Sequence, residues 1–343
     1  SMRRALIATL AVLVMLVVAY IVYWNVMASR SDEWVAYWAA PAPGKAWHAT
    51  YSTTEVTGFP FALDIRVRDP VITWQERSGE SVWQGPFLIA RFKPWTLASF
   101  AIELPSEQTL QIDDGERLRM LSVTMDSGSA TIGMDDGRMS TLHAAFRRIV
   151  VWHELNQPPV TADGLTLDYQ AVEEEPAHDV SVVINGLGLA GNVVPPFDAV
   201  IPHVSTTLRW VGDLPDQGSL AGSLEAWRLT GGVIEVTDLK LDWPPLDVAA
   251  DGTLALDSLL RPIGAFRADV VGYRDLLEAM EKAGSLEPGQ AVVAGTALDI
   301  MAQRQDDGRK RLAVDVSIQN GMLSVGPIPV YPVGPVIPAE AGF

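Results

Sequence analysis

Gly186-Leu-Gly188-Leu-Ala-Gly191 has the G-x-G-x-x-G spacing of a dinucleotide-binding turn and follows an apolar stretch, Val180 to Ile184, as such a turn requires. A pyrophosphate also needs the N-terminus of a helix. Asn192-Val-Val-Pro195-Pro196 removes backbone donors where that helix would open, so no cofactor is expected. The five histidines, His48, His143, His153, His178 and His203, include no pair four apart, the spacing at which a helix presents two zinc ligands. His153-Glu154 stays a dipeptide, and no metal is expected. Asp113-Asp114, Asp135-Asp136 and Asp306-Asp307 each precede a glycine, but none continues into the spaced oxygens and closing glutamate of a calcium loop. They read as hairpin tips, and Glu173-Glu174-Glu175 as a solvated loop. The chain has no cysteine, which removes thiolate nucleophiles, disulfides and cysteine-ligated zinc, and it has no Gly-x-Ser-x-Gly elbow. Carboxylates for glycoside hydrolysis cannot be paired without geometry. The expectation is a protein that is not an enzyme.

Charge narrows the partners. With 42 acidic against 25 basic residues the net charge is −17, a field that repels phosphate backbones, so nucleic acid is excluded as a partner. Arg3 and Arg4 precede a run, Ala5 to Trp24, that is apolar or aromatic except for Thr9. At ~1.5 Å per residue it matches a hydrocarbon core of roughly 30 Å. Tyr20, Tyr23 and Trp24 close the run where amphipathic rings favour the headgroup level, and the arginines before it against Asp32 and Glu33 after it predict a cytoplasmic N-terminus with the bulk in the periplasm. A cleaved signal peptide, with Val26 and Ala28 as the small-residue signal, is the rival reading, but its apolar region is usually only ~7–15 residues. The inner membrane is thus an expected partner through a single pass.

Beyond the anchor, taken as residues 2–28, comes a juxtamembrane segment, 29–47, in which a helix is predicted from Ser31 to about Ala39. Its Trp34, Tyr37, Trp38 and Trp47 lie around the Pro41 to Pro43 break and suit either the bilayer surface or packing on the domain above. From residue 48 the dominant period is two. Phe59, Phe61, Leu63, Ile65 and Val67 form one apolar face, a candidate groove or core face, against Asp64, Arg66 and Arg68. The alternation recurs at Leu165 to Tyr169, Leu239 to Trp243 and Leu312 to Gln319, predicting a mainly β, elongated antiparallel fold, either curved and groove-shaped or closed as a sandwich. Turns are expected at Asp114-Gly115, Asp136-Gly137, Asp163-Gly164, Asn185-Gly186, Asp251-Gly252, Asp307-Gly308 and Asn320-Gly321, which tolerate the positive φ of tight hairpins. Beyond residue 48 helices are expected only at Asp275 to Ala283 and Ala291 to Gln303. The Pro-rich joint at Val194 to Phe197 and Ile201-Pro202 suggests two β-rich halves, 48–196 and 197–338, with a tail at 339–343.

Gly58-Phe-Pro-Phe61, the N-terminal anchor and Gln319-Asn-Gly-Met-Leu-Ser-Val-Gly-Pro-Ile-Pro329 together resemble the proteobacterial family called domain of unknown function 2125, over Ser31 to Pro338. Its envelope members are distantly reminiscent of AsmA-like proteins. That resemblance implies an elongated β-groove facing the periplasm and handling lipid, and it carries over no catalytic residue. The expected function is a non-enzymatic, membrane-anchored module that binds a lipidic or other hydrophobic ligand. The alternative is a scaffold for envelope proteins, drawn from the aromatics near the bilayer and exposed sheet edges.

Overall fold

A computed structural model describes residues 2–75, 79–113, 118–153, 157–173, 175–191, 193, 196–215, 217, 220–304 and 308–337. The apolar run and the segment after it form one helix, α1 (Met2–Ala39), about 57 Å long at ~1.5 Å per residue. It stops just before Pro41, whose ring bars further helix. The predicted juxtamembrane helix is therefore the last part of α1 and not a separate element. Among the described residues, this is the one helix long and apolar enough to cross a membrane.

Short strands follow: β1 (Trp47–Thr50), β2 (Thr53–Thr57), β3 (Leu63–Arg68), β4 (Val71–Gln75), β5 (Glu80–Gln84), β6 (Phe87–Lys93), β7 (Thr96–Leu104), β8 (Glu107–Asp113), β9 (Leu118–Thr124) and β10 (Ser127–Asp135). Longer ones come next: β11 (Arg138–Trp152), β12 (Val160–Ala171), β13 (Ala177–Gly188), β14 (Val200–Val211), then α2 (Leu220–Leu229), β15 (Val233–Trp243), β16 (Leu246–Leu256) and β17 (Pro262–Val271). The chain closes with α3 (Tyr273–Lys282), α4 (Gln290–Met301), β18 (Gln303–Arg304), β19 (Lys310–Gln319), β20 (Met322–Val325) and β21 (Ile328–Pro332). All the strands join one antiparallel sheet.

That sheet forks. One leaf runs β2–β3–β6–β7–β10 and the other β1–β4–β5–β8–β9, and both end on β11. β11 serves both because it pairs with β10 up to Arg147 and with β9 from Val150. Between them Arg148 takes a φ of 48°, a left-handed kink that re-aims the strand, and its guanidinium is held by Asp126. From β11 onward a single ladder continues through β12, β13, β14, β15, β16, β17, β19, β20 and β21. β13 pairs with β14 from Ala177–Val211 to Gly188–Val200, so the residues on either side of the Pro-rich joint share one sheet; Val194 and Pro195 themselves lie outside the described residues.

Local chemistry explains most of these elements and corrects several turns. Asn320-Gly321 is the predicted hairpin between β19 and β20, with φ of 52° and 74°, and Asp136-Gly137 makes the same kind of turn between β10 and β11. Asp163-Gly164, Asn185-Gly186 and Asp251-Gly252 are not turns: all three lie inside strands. At the last two the glycine makes room for a neighbour. A Cβ on Gly252 would stand 2.7 Å from Phe266 Cα and one on Gly186 2.1 Å from Asp163 Oδ2. Asp114-Gly115 and Asp307 fall outside the described residues, as do Glu174 and the tail. The two expected helices are α3 and α4. Helix α2 was not anticipated from the sequence.

The densest core lies where α1 meets the first leaf. Trp24, Leu63 and Ile65 are buried together, and Met27, Ala28, Val35, Val56, Val67 and Phe92 pack around them. Ser31, fully buried, places its hydroxyl on the Ala28 carbonyl at 2.7 Å.

Candidate functional site

Residues directly opposite one another in an antiparallel ladder project to the same face, so the register identifies what each face carries. One row reads Ile65, Ala90, Ile102, Ala130, Ala144, Leu167 across the fork and continues Val182, Thr206, Leu239, Ala250, Ala268, Val314 to β19. A parallel row begins Leu63, Phe92, Phe100, Ile132, Leu142, Tyr169. A third crosses Phe146, Leu165, Ile184, Val204, Leu241 and Val248. The intervening positions are polar: His143, Asp168, Ser181, Thr207 and Asp238 align on the other face, where Arg209 holds Asp179 at 2.8 Å and Arg91 holds Asp64 at 2.7 Å.

The apolar face is continuous but uncovered. Leu165, Val182, Ile184, Val204, Leu208, Leu239, Leu241 and Phe266 are only half-buried, whereas the inner faces of a closed sandwich interdigitate into a core. Stepping ~4.8 Å per strand from β3 to β19 gives an arc of roughly 50 Å, and ~3.4 Å per residue from His178 to Ile184 gives roughly 20 Å along the strands. The sheet therefore forms an open apolar trough on the described residues, not a sandwich.

Its start is covered by α1. Trp24 lies over Leu63 and Ile65, and its Nε1 donates to the Ala62 carbonyl at 2.9 Å. Tyr23 donates to the Pro94 carbonyl at 2.7 Å, and Tyr20 to that of Pro60. The polar ends of all three rings are thus spent on turns of the first leaf. Of the five residues predicted for an apolar face, Leu63, Ile65 and Val67 stand in this region, and the first two begin the trough's rows. Phe59 and Phe61 lie instead in the turn between β2 and β3, 50% and 76% exposed.

Farther along, α2 closes one end of the rows. Trp227 is 1% exposed, its Nε1 donates to the Val211 carbonyl at 2.8 Å, and its ring stands 4.4 Å from that of Trp210. Gly212 and Gly232 leave the space for it; a Cβ on Gly232 would sit 2.1 Å from the ring. Beside Trp210 in register, His178 Nδ1 and the Tyr169 hydroxyl are 2.9 Å apart with their rings stacked, a polar pair on an otherwise apolar surface. Burial pushes the Tyr169 phenol up.

At the opposite end α3 and α4 are fastened by Asp299, which accepts from Tyr273 at 2.6 Å, from Arg274 Nε at 3.0 Å and from Lys310. Arg274 first, then Lys310 and Tyr273, hold the Asp299 carboxyl well below the usual carboxylate range. Burial, reinforced by Asp299, pushes the Tyr273 phenol up to about 12.

The polar face brings together groups that sequence spacing could not. His203 lies 2.8 Å from Asn185 Oδ1 through Nδ1 and 3.1 Å from Ser205 Oγ through Nε2. This Ser–His–Asn line runs across adjacent ladder strands, where backbone N–H groups are spent on pairing, and so lacks the paired donors that stabilise an oxyanion. His143 meets Asp168 at 2.6 Å on the same exposed face, His48 sits in β1 and His153 follows β11. No three His, Asp or Glu side chains gather as metal ligands among the described residues. Gly186 and Gly188 of the glycine motif lie within β13 and are followed by loop through Ala199 where described, not by the helix N-terminus a pyrophosphate would need.

A bacterial family described as an uncharacterized protein conserved in bacteria, domain of unknown function 2125, has a model that matches residues 24–334. No curated protein and no solved structure matches the chain.

Proposed function

Since the chain belongs to this uncharacterised bacterial family, we propose from its geometry that it is a non-enzymatic, inner-membrane-anchored periplasmic protein whose trough binds lipid acyl chains. One observation carries the reading: an apolar face runs from the strand under α1 to β19, and among the described residues its members on β12 to β16 are only half-buried. Exposed apolar patches of this extent mark interaction surfaces in soluble proteins. A half-buried aliphatic surface gains most from a ligand that is itself aliphatic, at ~0.8 kcal/mol per buried CH₂. With α1 as the anchor, the trough begins beside the membrane that would supply such a ligand, and the arginines preceding α1 favour a cytoplasmic N-terminus with the trough outside. The test is native mass spectrometry with lipid extraction on the full chain purified from its own membrane. Retained phospholipid is the expected result, and repeated recovery of lipid-free protein would overturn the reading.

A second reading draws on α4, which exposes Val292, Val293, Ile300 and Met301 at 64%, 72%, 84% and 68%. An apolar helix face of this kind suits docking of an envelope protein. Photocrosslinking from position 293 in intact cells separates the two, since a stoichiometric protein adduct would favour the scaffold.

A further inference from the structure

We propose that the turn between β2 and β3 is a second membrane-embedded element: Phe59 and Phe61 enter the acyl region of the bilayer that α1 crosses. The inference rests on the anchoring reading of α1 and adds to it a part of the β-sheet region that never leaves the membrane.

Length sets the depth. With Arg3 and Arg4 at one boundary, a span from Ala5 to Tyr20 gives about 24 Å at ~1.5 Å per residue, short of a hydrocarbon core of roughly 30 Å, and continuing to Trp24 makes up the difference. The turn is tied to this last stretch: Tyr20 donates to the Pro60 carbonyl and Trp24 to that of Ala62 at 2.9 Å. Phe59 also meets the Trp24 ring edge-on at 5.2 Å. Beyond the contact the turn reaches farther down. A cleft of about 560 Å³ is lined by Leu13, Val17 and Ile21 of α1 together with Phe59, Pro60 and Phe61, and Val17 lies roughly 10 Å along the axis from Trp24. If α1 fills the hydrocarbon core, the two phenylalanines stand inside it.

Around Pro60 and Ala62 the turn's backbone finds the internal partners that a bilayer demands of irregular backbone. The carbonyls of Pro60 and Ala62 are taken by α1, the Ala62 N–H donates to Gly58 O at 2.9 Å, and Pro60 has no N–H. From Val56 to Leu63 there is no charged residue; Glu55 and Asp64 are the first on either side. The neighbouring turn at Pro94–Trp95 is tied to Tyr23 in the same way, with Trp95 63% exposed, where an indole suits the headgroup level.

The absence of native cysteine permits single-site spin labels on the full chain in vesicles of phosphatidylethanolamine and phosphatidylglycerol. Labels at Phe61→Cys, Phe59→Cys, Val17→Cys and Val292→Cys are compared for relaxation by oxygen, which partitions into acyl chains, and by a water-soluble nickel chelate. The expected result is loss of nickel relaxation at 59, 61 and 17, with strong nickel relaxation at 292. Nickel access at 59 and 61 with 17 protected would overturn the insertion and leave the anchor standing. Access at 17 as well would overturn both.

Discussion

Ala249 and Ala250 are neighbours in β16 that face opposite ways, and giving each the same charge should separate the trough from its outer surface. Ala250 stands between Leu239 and Ala268 in the central apolar row, whereas Ala249 is exposed between Lys240 and Asp269. In Ala250→Asp the carboxylate remains half-wetted in the free protein but is covered when an acyl chain lies over it. An unpaired polar group buried in this way costs about 2–3 kcal/mol, which at 1.4 kcal/mol per tenfold is roughly 30- to 150-fold in the dissociation constant. Ala249→Asp, beside Lys240, should bind as the unaltered protein does. The pH dependence has a definite sign. Covering by lipid raises the new carboxyl above its ordinary value of about 3.9, so affinity returns as the pH falls through that raised value and is lost above it. Displacement of a fluorescent fatty acid from purified full-length protein, measured from pH 7 down to pH 4, reads all of this. Equal affinities for the two variants, or an Ala250→Asp loss that persists unchanged in acid, would refute the assignment of that face as the binding surface.

Asp299 gives a pH prediction of the opposite sign. Its folded-state carboxyl is depressed, so its contribution is full above the unfolded value of about 3.9 and disappears as the pH falls through the lower folded value. Amide exchange in α4 should therefore speed up relative to the rest of the sheet below about pH 4, and Asp299→Asn should remove that difference by exchanging freely already at neutral pH. Trp227→Ala should cost ~3–5 kcal/mol; at ~2.1 cal/mol/K per residue over roughly 300 residues this lowers the midpoint of thermal unfolding by about 5–8 °C. An unchanged midpoint would mean that α2 does not close the trough through that ring.

Strands were legible wherever one face stays wet. The alternation from Leu312 to Gln319 is β19 nearly to the residue, and Asn320-Gly321 names its hairpin. A groove was one of two shapes the alternation allowed, but the rows that line it were not legible, because a face is a property of register. Ile65, Ala90, Ile102, Ala130, Ala144 and Leu167 make a row only through five separate pairings, and nothing in their spacing announces it. Asp-Gly and Asn-Gly pairs misled at three sites because the same lack of a Cβ that favours a turn also lets Phe266 cross a strand at Gly252. Helix α2 left a faint signal, Leu220, Leu224 and Trp227 at i, i+4 and i+7, obscured by the glycine within it and those around it. The aromatics that close the apolar run were found by type, but their bonds to turn carbonyls depend on where β2, β3, β6 and β7 end.

At the far margin of the sheet, β21 pairs with β20 on one side and carries Pro329 and Pro332, with Pro335 close behind. Pro329 and Pro332 lack the N–H that a strand offers a neighbour, which suits them to a border position. Main-chain stitching of a second molecule along β21 is thereby discouraged, which bounds the greasy gutter on that side within one polypeptide.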